Sequence, residues 1–99
     1  MFDKNRYITR GAAAMIPPEA AAAMWIAIDL MPDPKDYLQV FELKPLDECI
    51  QHISHTQEQP RYSVNLYIPL LLPDSRAVTA KVYVIDDGDH STMLLPEER

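Results

Sequence analysis

The sequence predicts an α+β fold, a mainly antiparallel sheet arranged as a meander with one main helix packed across one face. Three observations lead there. Apolar residues alternate in several short segments, one alanine-rich stretch between prolines repeats at helical spacing, and consecutive β segments follow one another without intervening helices. At 99 residues the chain has the size of a single domain, because halves of it would be too small to bury enough apolar surface without staples. The sequence does not disclose a biochemical activity.

The elements follow from the punctuation. There are nine prolines and two glycines, and prolines terminate regular structure because φ is fixed and the N–H is missing. Arg6 to Thr9 is β-prone and reads as an edge strand ending in a turn at Arg10-Gly11. Pro17-Pro18 suits the entry of a helix, Glu19 supplies negative charge to its first turn, and the helix runs from Pro18 to Met31. Ala20, Met24, Ala27, Ile28 and Met31 share the face expected to lie on the sheet, while Ile26 and Leu30 project from nearly the opposite side. Trp25 lies between the two faces, which predicts that it is substantially buried against the sheet or a second subunit.

Asp36 to Leu43 alternates as a strand with Tyr37, Phe41 and Leu43 on one face. Cys49 to Glu58 is ambiguous over residues 46–55. Strand is preferred, but Leu46, Ile50 and Ile53 also fit helical spacing, with Asp47 as an N-cap. Arg61 to Ile68 alternates cleanly through Tyr62, Val64, Leu66 and Ile68. Ala77 to Ile85 does the same through Val78, Ala80, Val82 and Val84, and Asp86-Asp87-Gly88-Asp89 joins it to Ser91–Leu95 as a hairpin. Tyr67, Tyr83 and Leu70-Leu71-Leu72 are left over as candidates for the sheet's second face or a rim contact, a surplus that favours self-association.

Charge and cysteine content narrow the function classes. A formal net charge of -6 and scattered cations disfavour nucleic acid as a partner. The single cysteine, Cys49, has no partner in the chain, which points to a reducing, cytoplasmic setting. The apolar run from Ala20 to Ile28 is too short to span a bilayer, so no membrane association is expected.

Several clusters invite a chemical reading. Asp86, Asp87 and Asp89 could offer oxygen ligands to calcium, but the remaining positions of a calcium loop are lacking and hairpin chemistry explains the turn. Cys49, His52 and His55 have zinc-like spacing only on a helix, since a strand turns His52 away from the other two. His52, His55 or His90 could activate Ser54, Ser63 or Ser91, yet no phosphate loop, nucleophile elbow or metalloprotease motif accompanies them. The sequence therefore leans away from an enzyme and names no cofactor.

The stretches Arg6-Tyr7-Ile8-Thr9-Arg10-Gly11, Ile16-Pro17, Trp25 with Asp29, Asp36 to Leu43, Gln57-Glu58-Gln59-Pro60 and Val82 to Gly88 resemble a family of small proteins from Gram-positive bacteria and their phages, the domain of unknown function numbered nine-sixty. The resemblance implies an intracellular protein associated with mobile elements, and it transfers no activity or binding residue. The alanine-rich helix start, Ala20 to Ala23, departs from what the resemblance leads one to expect. The leading expectation is a non-catalytic interaction or accessory module that self-associates as a homo-oligomer, with Trp25, Ile26 and Leu30 as contact residues. The alternatives are a small enzyme or metal-dependent protein, and an acidic mimic of DNA.

Overall fold

The computed structural model describes all 99 residues. A six-stranded sheet carries two helices on one face. In chain order the elements are β1 (Asn5–Ile8), α1 (Arg10–Met15), α2 (Pro18–Leu30), β2 (Leu38–Asp47), β3 (Ile50–Gln57), β4 (Tyr62–Pro69), β5 (Ala80–Asp86), β6 (His90–Leu94) and a 3₁₀ turn at Pro96–Glu98. The order across the sheet is β1-β6-β5-β2-β3-β4, with β1 parallel to β6 and every other neighbour antiparallel.

This order corrects the expected meander. β2, β3 and β4 form one meander and β5 and β6 a hairpin, but the two are not joined in sequence across the sheet, because β5 returns to lie beside β2 on its far side. The connection from Pro69 to Ala80 is too long for a tight hairpin and is drawn back across the fold instead. Leu70 N–H donates to Cys49 O at 2.8 Å, the Glu19 carboxylate accepts from the N–H groups of Leu71 and Leu72, and Val78 N–H donates to Gln51 Oε1 at 2.8 Å. The detour places Val82 and Val84 in the middle of the sheet, where both are fully buried.

A second correction concerns Arg10-Gly11. These residues open α1, where the Thr9 hydroxyl caps the helix by accepting from Ala12 N–H at 3.1 Å. Glycine serves a close approach there, since a Cβ on Gly11 would lie 2.5 Å from Glu98 Oε2. Two helices rather than one therefore cover the sheet. The longer one begins with Pro18 and stops at Met31, immediately before Pro32, and buries Ala20, Met24 and Ile28 completely.

These helical side chains pack on the inner face of the sheet, against Phe41, Leu43, Ile53, Val82, Val84 and Met93, with Phe2, Ala12, Ile16 and Leu95 completing the core. Residues 46–55 are resolved in favour of the strand, entered from β2 through a turn in which the Asp47 carboxylate accepts from Cys49 N–H at 2.8 Å. The β2 ladder continues beyond Leu43 to Asp47, with a register shift between Pro45 and Asp47. Tyr37 precedes the strand and is largely exposed; Gln39 takes the inner position before Phe41. Gly88 has φ +98°, the left-handed conformation that the β5–β6 hairpin turn requires.

Candidate functional site

Alternation gives every strand an inner and an outer row of side chains, and the two helices cover only the inner rows. The outer face of the sheet has no covering layer. It presents Leu38, Val40 and Glu42 from β2, His52, Ser54 and Thr56 from β3, Ser63, Asn65 and Tyr67 from β4, and Lys81 and Tyr83 from β5. A shallow cleft of about 470 Å³ lies at one end of this face, lined among others by Asp36, Tyr37, Leu38, Arg61, Tyr62, Lys81 and Tyr83.

The cleft is aromatic and carries both signs of charge, with Asp36 and Glu58 beside Arg61 and Lys81. Lys81 Nζ and Arg99 Cζ each stand 5.8 Å from the centroid of the Tyr83 ring, close enough for attraction to the ring quadrupole. Arg99 also donates to the Tyr37 hydroxyl at 3.5 Å. Neither Arg61 nor Lys81 forms an ion pair. At the β4 side of the face His52 Nε2 lies 2.9 Å from Asn65 Oδ1, and its ring stacks on Tyr67 at 5.1 Å.

The three histidines occupy three different environments. His55 is fully buried on the inner face, stacked on Phe41 at 4.3 Å. Its Nε2–H donates to Gln39 Oε1 at 2.7 Å, while Gln39 Nε2 donates to Gln57 Oε1 at 2.7 Å and to Asp36 O at 2.9 Å. Gln57 Nε2 in turn donates to Pro60 O at 2.8 Å. Both Gln39 Nε2 bonds go to carbonyl oxygens, so its own oxygen is the acceptor and the neutral imidazole carries its proton on Nε2. His55 Nδ1 has no partner, and burial pushes the imidazole pKa down to about 4. His90 lies at the hairpin, 3.0 Å from Asp87 Oδ2. No serine hydroxyl or thiol is hydrogen-bonded to any of the three.

The tempting metal sets do not come together. Cys49 is exposed at the β2–β3 turn, His52 faces outward and His55 inward, as a strand dictates. Asp86 Oδ1 accepts from Gly88 N–H at 2.7 Å, and Asp87 Oδ1 accepts from Asp89 and His90 N–H at 3.1 and 3.0 Å. The bond from His90, followed by that from Asp89, holds the Asp87 carboxyl below its ordinary pKa. These carboxylates tie the turn together, and no group of three His, Cys, Asp or Glu side chains is disposed to hold a metal ion.

Trp25 is half-buried against the core rather than deeply enclosed. The Arg6 guanidinium lies 4.9 Å from its ring centroid and also pairs with Asp29, joining β1 to α2. Ile26 and Leu30 remain 54% and 80% exposed on the outer side of the helix. Reading the sequence alone misses the buried row Gln39, Gln51, His55 and Gln57. The available signal was phase, because these residues alternate in step with Phe41 and Ile53, which places them inside despite their polarity.

No helix is long and apolar enough to cross a membrane. No curated protein matches the chain. A crystal structure of a protein of unknown function from Enterococcus faecalis is similar to it, with a TM-score of 0.75 and 29% sequence identity over 98% of this chain and 92% of that one. The model of the family described as staphylococcal protein of unknown function (DUF960) matches residues 5–98. Spanning nearly the whole length from β1 to the C-terminal turn, that match establishes that the chain belongs to the DUF960 family.

Proposed function

We propose that the protein is a non-catalytic protein-interaction module whose principal binding surface is the uncovered face of its sheet. One observation carries the reading: helices cover a single face, and the other holds a cleft where Tyr83 is flanked by Lys81 and Arg99. Aromatic groups with cations beside them supply large contact area and orienting charge, the combination enriched at protein interfaces. The occupant that fits is a protein segment with an apolar side chain and a carboxylate. The outer ridge of α2, with Ile26, Leu30 and the exposed part of Trp25, is a second contact surface, supported by the exposure of two large aliphatic residues on one helix side.

The alternative chemistries have less to stand on. Hydrolytic or metal-dependent work needs converging groups, and the histidines diverge. A DNA mimic needs carboxylates in rows, whereas several of these are taken up locally: Glu19 by the segment after β4, Asp29 by Arg6, Glu48 by Arg76 and Glu98 by Thr9. The module acts in the cytoplasm as an accessory protein of a host or phage process, and it self-associates.

Affinity capture from the encoding organism, with wild-type chain beside Arg61→Glu/Lys81→Glu and Ile26→Ser/Leu30→Ser variants, tests the reading. A protein retained by the wild type and the helix variant but lost by the sheet-face variant supports it. Equal retention by all three removes the sheet face from consideration.

A further inference from the structure

The order of the sheet leaves β4 at one end with a free edge. The backbone bond from Leu70 N–H to Cys49 O, in a ladder with no register shift, fixes the hydrogen-bonding phase of the strand. In an antiparallel pair every second residue bonds to a given neighbour, so Tyr62, Val64, Leu66 and Ile68 address β3. The intervening Ser63, Asn65 and Tyr67 therefore aim their N–H and C=O groups away from the sheet, toward solvent.

Such an edge is normally guarded by charge, proline, a bulge or short length. The opposite edge, β1, has four residues and carries Arg6. By contrast β4 is eight residues long, regular and without a charged side chain, and its only proline is the last residue. Its inner row is only half-buried, although the corresponding positions of β3 are fully buried or nearly so.

We propose that β4 pairs with β4 of a second copy of this chain, antiparallel about a two-fold axis through Asn65. The outward-directed residues are symmetric about that point. Asn65 faces its own equivalent, Ser63 faces Tyr67 of the second copy, and the three pairs form about six backbone hydrogen bonds at two per facing pair. On the inner side Val64 comes opposite Leu66 of the second copy, and Tyr62 opposite Ile68, so the half-buried row gains an apolar neighbour along its whole length. A two-fold contact of this kind is self-complementary and closes at a dimer with a continuous sheet. With a net charge of -6 on each copy, an uncharged edge is also where two copies repel each other least. The pairing uses the sheet's edge, so it stands whether or not the open face binds a partner.

Sedimentation of the wild type and of Asn65→Pro and Asn65→Lys, from about 1 to about 500 µM, tests it. Proline removes a central outward N–H at a position where an edge strand tolerates it, and lysine sets like charges face to face across the axis. The wild type is expected at twice 11.3 kDa and both variants at the monomer mass, with unchanged circular dichroism. Hydrogen exchange on the wild type gives a readout that needs no variant: the amides of Ser63, Asn65 and Tyr67 become protected as the dimer forms. A wild type that stays monomeric throughout, a dimer that survives both substitutions, or a dimer whose three amides exchange as freely as in the monomer each overturns the proposal.

Discussion

His55 makes the stability of this fold dependent on pH in a range where most carboxylates are already ionised. Its folded pKa of about 4 lies below the ordinary 6.5 because the ring is enclosed with no acid beside it. A depressed folded pKa means that the unfolded chain takes up the proton first, so stability is full above the unfolded value and falls as pH drops from 6.5 toward 4. Between pH 7 and pH 5 the loss attributable to this group is about 2 kcal/mol, a large share of the roughly 5–15 kcal/mol of a small domain. Urea unfolding at the two pH values measures it, with a fall in the midpoint of about 1–2 M for a typical dependence on denaturant. His55→Gln cannot titrate and should show a slope flatter by that amount, whatever its absolute stability. Equal pH dependence in the two proteins would refute the reasoning, because it would mean that folding does not enclose the ring as a neutral group.

Other outcomes follow from single contacts. Trp25→Ala removes a half-buried ring and its contact with the Arg6 guanidinium and should cost about 2–3 kcal/mol in denaturant unfolding, less than the loss of a fully enclosed aromatic. Thr9→Ala deletes the cap of α1 and the hydroxyl bond to Glu98, lowering stability by about 1 kcal/mol in the same assay. Glu19→Gln weakens the anchor of the segment after β4. The N–H of Leu72, foremost among the donors that hold the carboxyl below its ordinary pKa, and that of Leu71 should then exchange faster, while core amides are unaffected.

Local patterns carried most of the elements. Pro18, Glu19 and Pro32 bracket a helix because each acts on its own neighbours, and the alternation in Arg61 to Ile68 or Val78 to Val84 reports a strand for the same reason. The order of strands was not legible, since it depends on where the segment after β4 is tied down, and the ties are long-range bonds to Glu19, Cys49 and Gln51. The buried row Gln39, Gln51, His55 and Gln57 was hidden by composition: polarity argued for exposure, and burial is permitted by hydrogen bonds that link Gln39, His55 and Gln57 to one another and tie Gln51 to the backbone of Lys44 and Val78. Gly11 misled in another way, because its space is claimed by Glu98 from the far end of the chain. The candidate face was legible only as surplus aromatic residues. That Tyr83 points outward could be read from its phase against Val82 and Val84, but Arg61 shares a cleft with it only because β5 lies beside β2, and Arg99 reaches it from the C-terminal turn.

The central claim, that the uncovered sheet face is the binding surface, is tested most directly by crosslinking in living cells with a photoreactive benzophenone side chain placed at Tyr83, and at Asp74 as an exposed control on the segment after β4. The expected result is a discrete adduct of one partner protein from position 83 and none from position 74, with the adduct lost when Arg61→Glu and Lys81→Glu are added. No adduct from position 83, or the same adduct from both positions, would contradict it.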